Sequence, residues 1–137
     1  EQGRAYDVIR KNRQQKGRPL KLSRESLKKV AKITDVDYFL VTQSSIDVAG
    51  AIVYKISSSV VQVIYWGNDV SYNSLHSIHF LAMHLFGFYQ ENYALLDIGP
   101  SSSLGVIDGG LAKFKESIGC QATEKPTFTI DIESAAS

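Results

Sequence analysis

Apolar and polar positions along the chain alternate between two rhythms. From Gln2 to Lys16, Ala5, Ile9 and, more weakly, Tyr6 recur at helical spacing and predict a helix. Gly17-Arg18-Pro19 interrupts it. Ser23 then supplies an N-cap for a short second helix with Leu27, Val30 and Ala31 on its buried side. Three apolar, β-branched stretches follow, Tyr38–Gln43, Val48–Ile56 and Val60–Trp66, parted by turns at Ser45–Asp47 and Ser57–Ser59. Such short connections predict an antiparallel meander. Gly67-Asn68-Asp69 is expected to break the third strand. The helical rhythm returns over Asn73–Asn92, with Leu75, Ile78, Ala82, Leu85, Phe86 and Tyr89 in one stripe. Phe80, Leu81 and Phe88 make a second stripe, which predicts a helix covered on two sides.

The remainder is expected to hold a strand at Ala94–Ile98, a polar loop at Pro100–Asp108 and a helix near Gly109–Ile118. A final strand is expected around Thr127–Asp131, before a fraying end at Glu133–Ser137. The order ααβββαβαβ predicts an α/β protein with a mixed sheet. Ala94–Ile98 should run parallel to the start of the third strand, because the long helix makes a crossover.

A length of 137 residues suits one domain, 1–137, and 44% apolar content excludes a disordered chain. The longest apolar run is too short for a membrane span. One cysteine, Cys120, leaves no internal disulfide and points to a reducing, cytoplasmic compartment. The start at Glu1 rather than methionine suggests a piece of a longer protein. The net charge of +1 hides an asymmetry: residues 1–32 carry +8 and the rest −7. A basic segment of this kind suits nucleic acid, a nucleotide phosphate, an acidic neighbouring domain, or simply solvent. The cations are spread through the segment with no interleaved aromatic platform.

Candidate chemistry is sparse. His76 and His79 are three apart on the long helix, but no nearby carboxylate or cysteine completes a metal set, so no metal is expected. No phosphate-cradling glycine loop and no strained G-x-S-x-G elbow is present. Cys120 follows a helix C-terminus, the wrong end for a stabilised thiolate. Gly67–Ser74, GNDVSYNS, joins a strand to a helix start, where backbone N–H groups hold an anion or where Ser71, Asn73 or Ser74 merely caps the helix. Asp97 at a strand end suits a general base or amine-orienting group, or an Asx turn. Lys115, at the border of the Leu111, Phe114 and Ile118 face, suits an oxyanion or phosphate, or an edge position with its stem on apolar surface.

Three stretches carry a family resemblance across nearly the whole chain: YDVIRKNRQQKGRP at Tyr6–Pro19, VAGAIVYKISSSVVQVIYW at Val48–Trp66, and the Asp-x-Gly…Gly-Leu-x-x-Phe-Lys segment within Leu96–Gly119. Together they resemble the second GNAT-like domain of Fem-type proteins, the peptidoglycan bridge aminoacyltransferases and their acetyltransferase-like relatives. The resemblance implies a GNAT-like acyltransferase fold lacking its first strand, in the C-terminal part of a longer protein. The sheet edge beside the missing strand should then be open or filled by another chain. It implies transfer of an acyl or aminoacyl group from acetyl-CoA or aminoacyl-tRNA to an amine, on a small molecule or peptidoglycan precursor. It also implies an upstream GNAT-like domain or second subunit as partner, with tRNA as a further one. The residues it singles out are Trp66, Gly67, Asn68, Asn73 and Ser74 for the donor, Asp97 for the amine and Lys115 for charge neutralisation. The turn WGNDVSYNS departs from the usual pyrophosphate loop, [Gln/Arg]-x-x-Gly-x-[Gly/Ala], which implies weak acetyl-CoA binding or none. The alternative is a non-catalytic binding or scaffold half of a two-domain protein.

Overall fold

A computed structural model describes residues 2–133, and the end of the expected fraying segment, residues 134–137, lies outside them. The chain divides into two compact units, Glu1–Pro100 and Ser101–Ser137. The first unit is a mixed α/β layer structure. Its elements are helices α1 (Gln2–Gln15) and α2 (Arg24–Val30), strands β1 (Val36–Gln43), β2 (Ile46–Lys55) and β3 (Val60–Asn68), helix α3 (Ser77–Tyr89) and strand β4 (Leu95–Asp97). The strands form one sheet in the order β1-β2-β3-β4. β1, β2 and β3 are the antiparallel meander, and β4 pairs parallel with the start of β3, Val60 opposite Leu95 and Gln62 opposite Asp97. No described strand pairs with the outer side of β1, so that edge is open among the described residues. No helix among them is long and apolar enough to cross a membrane.

Strand alternation sends the two core clusters to opposite faces. Ala49, Ala51, Val53, Val61 and Val63 meet Leu81, Leu85 and Tyr89 of α3. Ile52, with Tyr38, Tyr54 and Tyr65 around it, meets Tyr6 and Ile9 of α1 and Leu27 of α2. A bulge in β3 makes this possible. Ile52 faces Tyr65 but Val53 faces Val63, so Ile64 is the extra residue. The slip turns Tyr65 toward α1 and Trp66 toward the α3 side, one position out of phase with Val61 and Val63.

Close approach of α1 to the sheet rests on two paired glycines. Gly50 lies opposite Gly67 across β2 and β3. A Cβ on Gly50 would sit 3.1 Å from the Ala5 carbonyl oxygen, and one on Gly67 would sit 2.8 Å from the Asn12 amide. Gly67 therefore does not break the third strand as expected. It continues the strand to Asn68 because the helix fills the room its side chain would take.

Other expectations need similar correction. The first turn is Ser44-Ser45 rather than Ser45–Asp47, with both serines at positive φ (49° and 65°) between paired Gln43 and Ile46. Ala31 is exposed as the C-cap of α2, while Leu27 carries its buried side. The long helix does not begin at Asn73. A 3₁₀ turn spans Val70–Leu75, His76 turns left-handed (φ 50°), and α3 starts at Ser77 and ends at Tyr89. Leu75 is exposed and Leu81, expected on the second stripe, is 1% exposed in the core. The outward face is instead Phe80 and Met83, with Phe88 packed edge-on against Phe39 and Tyr89.

The second unit holds a two-stranded hairpin, β5 (Ser102–Ser103) and β6 (Val106–Ile107), inside the expected loop, then helix α4 (Gly109–Ser117). Asp108 caps α4 through its carboxylate, which accepts from the Leu111 N–H at 3.0 Å. The expected final strand, Thr127–Asp131, is irregular and exposed. Its alternation of Thr and apolar residues finds no neighbouring strand among the described residues, and alternation without a partner makes no sheet.

Candidate functional site

The carboxyl ends of β3 and β4 and the connection from β3 to α3 carry the residues that sequence pattern singles out in the first unit. β4 stops pairing at Asp97, while β3 runs on to Asn68. In α/β sheets, ligands bind beyond such carboxyl ends. The structure brings Gly67, Asn68 and Asn73 together and ties them to α1. The Asn12 amide donates to the Asn68 carbonyl at 2.7 Å, and the Asn68 amide donates to Asn73 Oδ1 at 2.7 Å. Ser74 is exposed in the 3₁₀ turn, and half-buried Trp66 packs against the α3 core.

Asp69 dominates the electrostatics of this turn. Its side chain is buried, and its Oδ2 accepts from Lys11 Nζ at 2.6 Å. Its Oδ1 accepts from Gln15 Nε2 at 2.9 Å and from the Ser71 N–H at 3.0 Å. Gln15 Oε1 in turn accepts from the Val70 N–H at 2.9 Å. Burial alone would raise the Asp69 pKa, but hydrogen bonds from Lys11, Gln15 and Ser71 outweigh it and hold the group at about 2. A fixed anion thus occupies the start of the 3₁₀ turn, and two of the N–H groups there already have acceptors.

The start of α3 is different. His76 makes no side-chain cap, and its carbonyl accepts from the His79 and Phe80 N–H groups at 3.1 and 3.2 Å. Ser77, at the first helical position, is buried, and its hydroxyl has no protein partner. A bare helix start beside a buried, unpartnered hydroxyl suits an anion better than the turn before it does. Sequence pattern misses Ser77 because the left-handed His76 that separates turn from helix has no periodic signature. His76 and His79 stand edge to face at 5.6 Å, but no group of three metal-ligating side chains occurs among the described residues.

Asp97, half-buried at the end of β4, accepts from the Gly99 N–H at 2.8 Å in an Asx turn. Asp97 belongs to the first unit and Lys115 to the second, where Lys115 is buried on α4. Burial pushes the Cys120 thiol upward against the opposing charge of Lys115, so the sulfur is not an activated thiolate. A depression of about 460 Å³ lies at the far end of the sheet by the β2–β3 turn, lined by Lys32, Asp35, Lys55, Ser57 and Tyr93. It sits at the amino ends of β3 and β4, away from the residues above. Compared with models of protein families the chain matches none, and no curated protein matches it in sequence.

Proposed function

We propose that the chain is an N-acyltransferase domain of the Fem/GNAT-like kind, passing an acyl or aminoacyl group to an amine. The observation that carries this reading is the β3–α3–β4 unit: a bulged strand, a crossover helix with a bare start, and a parallel strand that ends in Asp97. In the reaction, the amine nitrogen attacks the acyl carbonyl carbon. The new C–N bond replaces the bond to the donor's thiol or ribose oxygen, and the amine proton leaves with that group. Asp97 orients the amine and takes its proton in passing, while the donor's phosphate lies at Ser77 and the α3 start. Gly67, Asn68 and Asn73 shape the turn beneath it. This proposal is confined to residues of the first unit.

The test is transfer of a radiolabelled acyl group to an amine-bearing peptide, with acetyl-CoA and an aminoacyl-tRNA mimic as alternative donors. Turnover with either donor, lowered on the order of 100-fold or more by Asp97→Asn, is the expected result. The buried, ionised Asp69 favours a second reading, a binding or scaffold half. Its carboxylate already takes Lys11, Gln15 and the Ser71 N–H, the donors that a phosphate approaching the turn would need. No transfer with either donor, alongside binding of an amine acceptor, would select that reading.

A further inference from the structure

The exit of α1 gathers cations. Gly17 takes a left-handed conformation (φ 67°), and the chain closes in a double hydrogen bond. Its N–H reaches the Gln14 carbonyl at 3.0 Å, and the Arg18 N–H reaches the Arg13 carbonyl at 2.8 Å. That pattern is a Schellman turn, and it folds Arg18 back beside Arg13 and Lys16. Arg13 is steered by Tyr65 of β3, its guanidinium carbon 5.8 Å from the ring centre.

None of these three cations forms an ion pair with a described acid. The acids that meet other cations of α1 and α2 are already taken: Asp7 by Arg10 and Arg24, Glu25 by Lys29, Asp69 by Lys11 and Asp47 by Arg4. The C-terminal dipole of α1 is worth about half a negative charge, too little to balance three cations. Lys16 feels the crowding: burial and then the charges of Arg13 and Arg18 lower its pKa. Two guanidinium forks and an ammonium supply the donors and the charge that a doubly charged phosphate takes. A membrane-inserting surface would add large apolar side chains, and none of the exposed large hydrophobic residues falls before Ile33.

We propose that Arg13, Lys16 and Arg18 form a binding site for a phosphate monoester at the exit of α1. The site is independent of the acyl-transfer reading, since it uses no residue assigned to that reaction. The phosphate reaches it on a soluble metabolite or on a lipid headgroup.

The experiment is an amide-resolved NMR titration of the whole chain with glycerol 3-phosphate, paired with sedimentation on phosphatidylcholine vesicles with and without phosphatidic acid. Saturable shifts centred on Gly17 and Arg18, absent with glycerol, identify a soluble ester. Sedimentation only with phosphatidic acid, without saturable ester shifts, identifies a lipid source. Arg18→Gln, at an exposed position, should weaken whichever interaction is seen by about 10-fold. Arg13→Lys, which keeps the charge but loses the fork, should weaken it less. Unsaturable shifts spread over all surface lysines, no response in either arm, or equal binding by wild type and Arg18→Gln would overturn the proposal.

Discussion

Asp69 shows how one side chain sets both the stability and the chemistry of the turn that follows β3. Its folded pKa of about 2 lies below the ordinary 3.8. A depressed carboxylate contributes stability above the unfolded value and loses it as pH falls through the folded value. The contribution, about 2 kcal/mol, should therefore be complete above about pH 5 and drain away as pH falls from there through about 2. Urea unfolding across that range should show the fall in wild type and a flatter profile in Asp69→Asn. Gly67 is equally specific. A methyl group there would lie 2.8 Å from the Asn12 side chain, which is itself buried and hydrogen-bonded to Asn68. Gly67→Ala should cost about 1–3 kcal/mol, measured by chemical denaturation. Neither effect is visible along the chain, since Lys11 and Asp69 are 58 positions apart. An aspartate after Gly-Asn reads as turn punctuation until α1 is laid against it.

At the scale of elements, α3 is the case where pattern and packing part company. Most of its length is apolar, so periodicity alone yields two stripes without saying which is inside. The sheet decides: Leu81, Ala82, Leu85 and Tyr89 are buried, while Phe80 and Met83 are 64% and 63% exposed. The end of the helix is pinned by the Tyr89 hydroxyl, which donates to Asp37 Oδ2 of β1 at 2.6 Å. Burial and that carboxylate keep the phenol protonated well above its ordinary range. Leu81→Asp should prevent folding, whereas Phe80→Gln with Met83→Gln should shift the unfolding free energy by less than about 0.5 kcal/mol. Gly87 lies on this helix with open space where a Cβ would stand. Gly87→Ala should raise stability by about 0.5–1 kcal/mol, read as an increased denaturation midpoint.

Over the whole molecule, the division after Pro100 separates a sheet with two helical layers from a smaller unit built on one hairpin and one helix. Residues 121–131 lie outside helices and strands and are exposed throughout, with Phe128 at 83%. Limited chymotrypsin digestion should accordingly cut at Phe128 before any site within β1, β2 or β3; first cleavage inside the sheet would contradict this picture. The sequence by itself determined the kinds of elements in the first unit, the antiparallel meander and the parallel return of Leu95–Asp97. Short turns and a helical crossover leave few other topologies. It likewise marked Asp97 at a strand end and Asn73 and Ser74 in the connection that follows the third strand. Tertiary structure alone decided that Gly67 stays in its strand and that Asp69 is neutralised by α1. It also decided that the helix start falls at Ser77 and that Thr127–Asp131 is no strand. Each of these depends on contacts between distant segments, where a hydrogen-bond partner or a packed helix outweighs the local preference of a residue.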